Sequence, residues 1–316
     1  MSIIETLVEQ FPIRKSGKQK EAFRDWFITW AREQGYTAQA TTHRGIFHST
    51  NVVVGDPEQA EVVFTAHYDT PAVMPLPNFI TPCNVLVYLL YQLLLVPVLL
   101  APPAALAALL GFVLSRLGVE PEAAARVAGF VGFIGVYVML GIMMFGPANR
   151  HNVNDNTSGV AAVMELMQRL PGDQRGKAAF ILFDNEEKGM LGSAAYASAH
   201  KAVKKEKLLI NMDCVGDGEN LLFFANRKTR ELPCYPRLEA AMAAQTGRNF
   251  VMNRMEKCVY PSDQANYRLG VAVCACNQMK VIGYYCDKIH TRKDTVCEQV
   301  NLDFLADGLT AFVASL

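Results

Sequence analysis

The stretch EVVFTAHYDT, residues 61–70, places an apolar run directly before a histidine and an aspartate. A short apolar run rich in Val and Phe predicts a buried strand. Ligands in α/β sheets bind just beyond the carboxyl ends of the strands, so polar residues at such a junction predict a site. The junction recurs where KAAFILF (177–183) precedes DNEEKG and where KLLINM (207–212) precedes DCVG. These junctions predict an α/β fold with a site at one edge of its sheet.

Apolar runs of strand length alternate with amphipathic segments of helical period over most of the chain. This alternation predicts a three-layer α/β/α fold, in which helices cover both faces of a mostly parallel sheet. Besides the runs above, the predicted strands are 221–225, 271–276 and 280–285, and the predicted helices are 18–34, 158–170, 193–203, 236–246 and 301–315.

The middle of the chain, residues 70–149, is much poorer in charge than the rest. It has four charged residues in 80 positions, whereas the other 56 are spread over the remaining 236 positions. Its two uncharged runs, 46 residues over 70–115 and 23 over 127–149, each exceed the roughly 20 apolar residues that cross a bilayer as a helix. We therefore expect an all-helical transmembrane hairpin of two spans within an otherwise soluble domain.

Two features leave the form of this insert open. Pro97, Pro102 and Pro103 make the second half of the first run a candidate for a kinked extension, a re-entrant piece or an interfacial helix. A buried helical hairpin used for oligomerisation is the alternative to a membrane anchor. The membrane interpretation divides the chain into a first domain part (1–75), the hairpin (76–148, in contact with lipid over about 80–147) and a second domain part (149–316).

Composition excludes other classes of partner. Thirty basic and thirty acidic side chains give a formal net charge of zero, so no global field attracts nucleic acid, and none is expected as a partner. The eight cysteines lie mostly in apolar runs such as VAVCAC (271–276), which indicates reduced core residues rather than a disulfide framework.

The polar residues at the strand ends form a nitrogen and oxygen donor set. Two imidazoles with several carboxylates suit zinc, manganese or cobalt better than a thiolate-binding metal. An aspartate two residues after a histidine can orient the imidazole, and one of two adjacent glutamates can coordinate while its neighbour acts as general base. A short aspartate can bridge two cations. The candidates are His67, Asp69, Asp155 as the bridge, Glu186, Glu187, Asp213 and His290.

Five motifs in order, HYDT, NDNTSG, NEEKGMLGS, NMDCVG and HTRKDT, carry a resemblance. In order and spacing they resemble the di-zinc aminopeptidase family, which includes bacterial leucyl aminopeptidases and relatives of glutamate carboxypeptidase. The resemblance covers about 1–70 and 150–316. It implies a metallopeptidase whose peptide substrate loses N-terminal residues.

The resemblance also implies roles for individual residues. One zinc would be held by His67 and Asp213, the other by Glu187 and His290, with Asp155 bridging the two. Glu186 matches the general base, which takes a proton from water, and Asp69 its supporting carboxylate. Cobalt or manganese would accept the same ligands.

Two departures from the family pattern stand out. YPSDQANY (260–267) places Gln264 where the family has a histidine, so Tyr260 and Gln264 are expected as substrate contacts. The apolar insert occupies a place where soluble members have a loop. Two rival functions remain: a glutaminyl cyclase-like acyltransferase with a single zinc, and a binding or receptor protein without catalysis. The insert as the functional core, regulated by the peptidase domain, is a third, and oligomer formation is open.

The insert also bears on topology. His67 precedes it and Asp155 follows it, so both reach one metal pair only if the chain crosses the bilayer an even number of times. Arg116 and Arg126 favour a cytoplasmic hairpin turn. The start MSIIETLVEQFPIRK lacks the pattern of a signal peptide, which favours a cytoplasmic catalytic domain. We expect a multi-pass membrane protein whose catalytic domain lies on the cytoplasmic side.

Overall fold

The computed structural model describes residues 1–44, 48–74 and 76–316, so the domain boundary predicted at residue 75 lies outside the described residues. Within them, nine strands form one sheet in the order β1-β2-β4-β3-β5-β8-β6-β7, with β9 paired to β8. The strands are β1 (Ala38–His43), β2 (Ser49–Val54), β3 (Val62–His67), β4 (Ala178–Phe183), β5 (Leu208–Met212), β6 (Asn220–Ala225), β7 (Asn249–Arg254), β8 (Gly270–Met279) and β9 (Gly283–Tyr285).

The sheet is mixed, with parallel pairing at its centre. Strands β4, β3, β5 and β8 are parallel neighbours, and β7 is parallel to β6. Strands β1 and β2 extend one side antiparallel, and β6 and β9 pair antiparallel with β8. Parallel pairing therefore dominates where the candidate ligands lie. The antiparallel flanking strands make the whole sheet mixed, whereas the sequence predicted a mostly parallel one.

Helices cover both faces, as the three-layer prediction required. Helices α1, α2, α5, α9 and α10 pack on one face, and α6 and α7 on the other. The predicted helix 193–203 is two helices separated at His200. The helices are α1 (Ile3–Gln10), α2 (Gly17–Glu33), α3 (Val85–Arg116), α4 (Pro121–Phe145), α5 (Gly159–Arg169), α6 (Leu191–Ala199), α7 (Lys201–Glu206), α8 (Arg227–Arg230), α9 (Tyr235–Ala243) and α10 (Gln299–Ser315).

The start of α5 lies directly against the end of β5. A Cβ added at Gly159 would lie 2.3 Å from the backbone oxygen of Met212, so only glycine fits there. The Asn156 side chain joins the same elements, since its amide donates to the Met212 oxygen at 3.0 Å. This close approach places Asp155, ahead of α5, beside Asp213 at the end of β5.

The insert consists of two long helices, α3 and α4. Both are long and apolar enough to cross a membrane, and they have large apolar side chains on the surface, such as Leu94, which is 67% exposed. Small residues let them approach closely, because a Cβ added at Gly132 or Gly135 would lie 3.0 Å from α3. Pro97, Pro102 and Pro103 lie inside one continuous helix, so of the forms left open for this run the re-entrant piece is not found.

The base of this hairpin is tied to the edge of the sheet that carries the candidate ligands. The Val73 amide donates to Pro147 at 2.8 Å, and the Asn149 amide donates to Pro71 at 2.9 Å. The Lys15 ammonium donates to the backbone oxygen of Met144, near the end of α4, at 3.0 Å. The two apolar helices therefore extend from the same edge of the sheet as the candidate ligands.

Candidate metal centre

Five polar side chains meet at the carboxyl ends of the central strands. His67 is the last residue of β3, Asp213 follows β5, and Glu187 lies in the loop after β4. Asp155 precedes α5, and His290 lies in the loop between β9 and α10. The structure thus brings all five predicted ligands together.

The five side chains form two groups that share one carboxylate. His67 Nε2 lies 3.3 Å from Asp155 Oδ1 and 3.5 Å from Asp213 Oδ1. His290 Nε2 lies 3.0 Å from Asp155 Oδ2 and 3.4 Å from Glu187 Oε2. Each oxygen of Asp155 therefore faces a different group, which is the arrangement that a bridging ligand requires.

The donor set fits zinc. A tetrahedral zinc ion with bonds of about 2.0–2.1 Å holds its ligand atoms roughly 3.3 Å apart, close to the separations in both groups. Among the described residues, Glu187 Oε1 is buried and has no hydrogen-bond partner, as expected of an oxygen available to a cation. Imidazole and carboxylate are also the ligand types found at catalytic zinc sites.

Electrostatics at the cluster favour a positive charge between the groups. Burial opposes the charged form of the His290 imidazole, but the carboxylates of Glu187 and Asp155 outweigh it and raise its pKa to about 9. Burial likewise opposes ionisation of Asp155, yet the two facing imidazoles hold its pKa below the usual range. Burial and the Asp155 charge raise the pKa of Glu187 to about 8. So many buried carboxylates need cationic compensation.

Glu186, the predicted general base, lies beside the cluster without belonging to either of the two groups that share Asp155. It forms a further group with His67 and Glu187 that could hold a cation. Burial raises its pKa well above the usual range, and the Glu187 carboxylate adds to this rise against the opposing His67 imidazole. The two adjacent glutamates thus have different surroundings, as the predicted division of roles requires.

Asp69 supports the cluster in a way that differs in detail from the prediction. Its backbone oxygen lies 3.2 Å from His67 Nδ1, whereas its carboxylate lies 3.6 Å away. The two carboxylate oxygens accept from the backbone amides of Glu186 and Glu187, at 3.0 and 3.3 Å. Asp69 therefore orients the imidazole mainly through its main chain and holds the glutamate loop with its side chain.

Asp294 is a positioning residue that sequence analysis missed, although it belongs to the quoted motif HTRKDT. Its carboxylate accepts from the backbone amides of Asn154 at 2.7 Å and Asp155 at 3.0 Å. Burial and the nearby Asp155 charge raise its pKa to about 7. The residue links the loop of His290 to the loop of Asp155, the two ligands that face each other.

Two buried basic side chains that the sequence did not indicate hold the loops that carry the candidate ligands. The Arg14 guanidinium donates to the backbone oxygen of Tyr68 at 2.5 Å and to Thr157 Oγ1 at 2.9 Å, so it ties β3 to the Asp155 loop. The Lys20 ammonium donates to Asp184 at 2.5 Å, just ahead of the glutamate pair. Both lie far from the motifs in sequence, and only the distribution of buried charge reveals them.

Tyr260 and Gln264, the predicted substrate contacts, are buried and engaged with the protein. The Tyr260 hydroxyl donates to the Asp213 backbone oxygen at 2.9 Å, and the Gln264 side-chain amide donates to the Tyr260 backbone oxygen at 2.9 Å. Ser262 donates to the Asp213 carboxylate at 2.6 Å. In the structure this segment supports a candidate ligand, because its polar groups bond to Asp213 and to each other. Substrate contact by Tyr260 and Gln264 stays a prediction.

Asp263, between these residues, adds a further buried acid. Burial raises its pKa to about 7, and its carboxylate is close enough to Glu186 to disfavour ionisation there. Asp263 lies within YPSDQANY, but the sequence pattern pointed only to Gln264, which stands in place of the family's histidine.

Left-handed backbone conformations cluster at the same edge of the sheet. Asn185 before the glutamate pair, Cys214 after Asp213 and His290 itself have φ values of 56°, 55° and 62°. Non-glycine residues adopt this region at an energetic cost, and such residues concentrate at functional sites.

An α/β sheet with a carboxylate and histidine cluster at its carboxyl edge defines the class of a metal-dependent α/β enzyme. Residues 142–309 match peptidase family M28, over more than half of the chain, and the chain belongs to this family. Its members are zinc-dependent hydrolases, and the resemblance to di-zinc aminopeptidases is confirmed. A comparison with curated proteins finds no match.

Solved structures agree on the fold. Porphyromonas gingivalis glutaminyl cyclase is similar with a TM-score of 0.60 and 15% identity, over 99% of this chain and 96% of that chain. The LapA aminopeptidase of Legionella pneumophila is similar with a TM-score of 0.57 and 15% identity, over 99% and 70% of the two chains. At these identities the similarities describe the fold alone.

Proposed function

We propose that this protein is a membrane-anchored aminopeptidase that uses two zinc ions. The observation that carries the proposal is the position of Asp155, whose two oxygens face two separate ligand groups at 3.3 and 3.0 Å. His67 and Asp213 would hold one ion, and Glu187 and His290 the other. A bridged pair of cations is the arrangement that many aminopeptidases use.

Bound zinc would supply Lewis-acid polarisation of the scissile carbonyl and would lower the pKa of water. Glu186 takes a proton from the attacking water while the oxygen of that water bonds to the carbonyl carbon. The same carboxyl then delivers that proton to the amine as the carbon–nitrogen bond breaks. Asp69 fixes Glu186 for both steps, since it holds the backbone amide of that residue at 3.0 Å.

A glutaminyl cyclase-like acyl transfer is the second candidate, because a glutaminyl cyclase shares the fold over nearly the whole of both chains. In that reaction the N-terminal amine attacks the glutamine side-chain amide and ammonia leaves. The predicted single zinc of such an enzyme would leave two of the five candidate ligands without a metal, so the two groups favour hydrolysis.

The membrane part of the proposal is supported by the two long, apolar and exposed helices α3 and α4. Both leave from the same edge of the catalytic domain. A hairpin of this kind anchors the enzyme while the ligands that precede and follow it stay on one side of the bilayer.

Mass-spectrometric analysis of a peptide library, free and N-acetylated, tests the reaction. We expect free peptides to lose single N-terminal residues and acetylated peptides to stay intact. The Glu186→Gln variant should be inactive, whereas Glu206→Gln, at an exposed position on α7, should match the parent. Loss of ammonia from N-terminal glutamine, with every residue retained, would establish the cyclase instead. No turnover in a preparation that holds two metal ions would contradict both enzymatic proposals.

A further inference from the structure

A cavity of about 650 Å³ lies against the segment that directly follows the candidate ligand His290. One wall comes from the segment after β3, with Val73, Met74 and Leu76, and another from Thr291 and its neighbours after His290. The Met74 amide donates to the backbone oxygen of His290 at 2.7 Å. The apolar wall is therefore attached to the loop that carries a candidate zinc ligand.

The same apolar wall also closes one side of a second, smaller cavity. This cavity, of about 70 Å³, lies between the wall and the hairpin, and its remaining lining comes from α3 and α4. We call it the hairpin cleft and define it by Leu95, Leu99, Met139 and Met143, with the wall residues Val73, Met74 and Leu76. Because the two cavities share these three residues, a continuous surface runs from the hairpin to Thr291, the residue that follows the candidate ligand His290.

The length of the helices places this cleft at a membrane boundary. The 32 residues of α3 extend about 48 Å at 1.5 Å per residue, well beyond the roughly 30 Å of a hydrocarbon core. Counting about 20 residues back from Arg116, at the far turn, puts the near boundary around Pro97. The cleft lies at this level, and Lys15, whose ammonium binds the oxygen of Met144, supplies a cation at the same height.

The lining of the large cavity also has basic residues. Arg292 and Lys293 line it and are exposed, whereas Asp287 is the acidic residue among its lining. In the proposed membrane orientation, the combined surface thus has an apolar end at the hairpin and exposed cations on the loop that carries His290.

We infer that the substrate is an amphiphilic peptide that enters from the membrane, with a hydrophobic chain in the hairpin cleft and its free N-terminus at the metal centre. This inference rests on the proposed function. The hydrophobic chain comes either from an acyl group or from apolar side chains, which offer the cleft the same chemistry. A water-soluble peptide would leave the cleft unused and its lining unpaired with substrate.

Matched peptides test the inference on the full chain in phosphatidylcholine vesicles. Tripeptides that vary at the first residue are made as C-terminal dodecylamides and as methylamides, together with nonapeptides that end in five leucines. We expect kcat/KM to be at least about tenfold higher for both apolar forms than for the methylamide, since burial of two methylene groups already gives such a factor.

Tryptophan at the cleft separates this site from general membrane effects. Leu99→Trp should remove the preference for the apolar forms and keep methylamide turnover, whereas Leu94→Trp, on the exposed side of α3, should retain the preference. If Leu99→Trp also lowers methylamide turnover, Met139→Trp repeats the test from α4.

A dodecylamide with a terminal diazirine gives a readout independent of turnover. In the Glu186→Gln variant we expect crosslinks at residues 95–99 and 139–143. Equal turnover of apolar and methylamide forms, or crosslinks confined to exposed positions such as Leu94, would overturn the inference while Glu186-dependent cleavage of the methylamide upholds the peptidase. If no peptide is cleaved in a Glu186-dependent way, both proposals fall.

Discussion

The metal centre and the hairpin each depart from the usual distribution of side chains in a soluble protein: the centre buries charged groups, and the hairpin exposes apolar ones. At the centre, carboxylates such as Asp155 and Asp213 are buried, at 4% and 6% exposure. In the hairpin, large apolar side chains such as Leu94 and Phe130 are mostly exposed. Buried charge and exposed apolar surface are both costly in water, so each region requires a partner that water does not supply. The comparison supports the proposal of cations at the centre and of lipid around the hairpin.

The two regions also differ in how they are held. The centre is fixed by directional hydrogen bonds to Asp69, Asp294 and Asp213, with donor and acceptor distances of 2.6–3.3 Å. The hairpin is held by close packing of small residues, such as Gly132 on Ala107. We therefore expect single polar substitutions to be severe at the centre and graded in the hairpin.

Glu186→Gln should have the largest effect on turnover. Loss of a general base costs about 10²–10⁴-fold in rate, and the neutral amide preserves the shape of the site. We expect both metal ions to remain, as measured by elemental analysis alongside kcat. Near-parental turnover would remove Glu186 from the mechanism.

Asp155→Ala should abolish metal pairing, because it removes the carboxylate shared by both groups. We expect at most one tightly bound zinc per chain in place of two, measured by elemental analysis after dialysis. Asp307→Ala, on the surface of α10, is the control and should retain two. Two ions retained in Asp155→Ala would contradict the bridge.

Asp294→Ala should weaken zinc binding by about 10–100-fold, the usual cost of removing a group that orients a ligand. Its carboxylate accepts two backbone amides next to the bridge, so its loss frees Asp155 to move. Asp294→Asn keeps one acceptor oxygen and should restore part of the affinity in competitive chelator titrations. An unchanged affinity in the alanine variant would show that the bridge needs no such support.

Leu109→Arg tests the hairpin half of the comparison. Arginine near the middle of a membrane helix costs about 2.5–3.5 kcal/mol of insertion free energy, so we expect a smaller membrane fraction with an intact metal centre. Val281→Arg, at an exposed position of the catalytic domain, should have no effect. Equal sedimentation of all three proteins with membranes would argue against insertion of α3.

A tag at residue 1 reports which side of the membrane holds the catalytic domain, a property with no expected effect on turnover. With a cytoplasmic catalytic domain, protease should remove the tag in inverted vesicles and leave it in intact cells. Protection in inverted vesicles would place the domain on the opposite side.

Much of the site could be predicted because parallel strands end at a common edge. His67, Asp213 and Glu187 each follow an apolar run, so their meeting depends on strand pairing alone. Strands β1, β2 and β7 escaped prediction. Polar residues such as Gln39 and Asn249 interrupt the apolar pattern of β1 and β7 on exposed faces, and the apolar run of β2 is only three valines long. The inward direction of the Tyr260 side chain could not be predicted either, since composition does not say which way a loop side chain turns.

By itself, the sequence determined the α/β class, the apolar insert and the identity of the candidate ligands, because these depend on local pattern and on order along the chain. Only the tertiary structure decided which groups support the ligands, that α3 continues through its three prolines, and that a wall residue of the hairpin cleft, Met74, bonds to the backbone of His290. Asp294 and Asp155 are 139 positions apart. Contacts of that kind depend on how loops pack in space, and no local pattern encodes them.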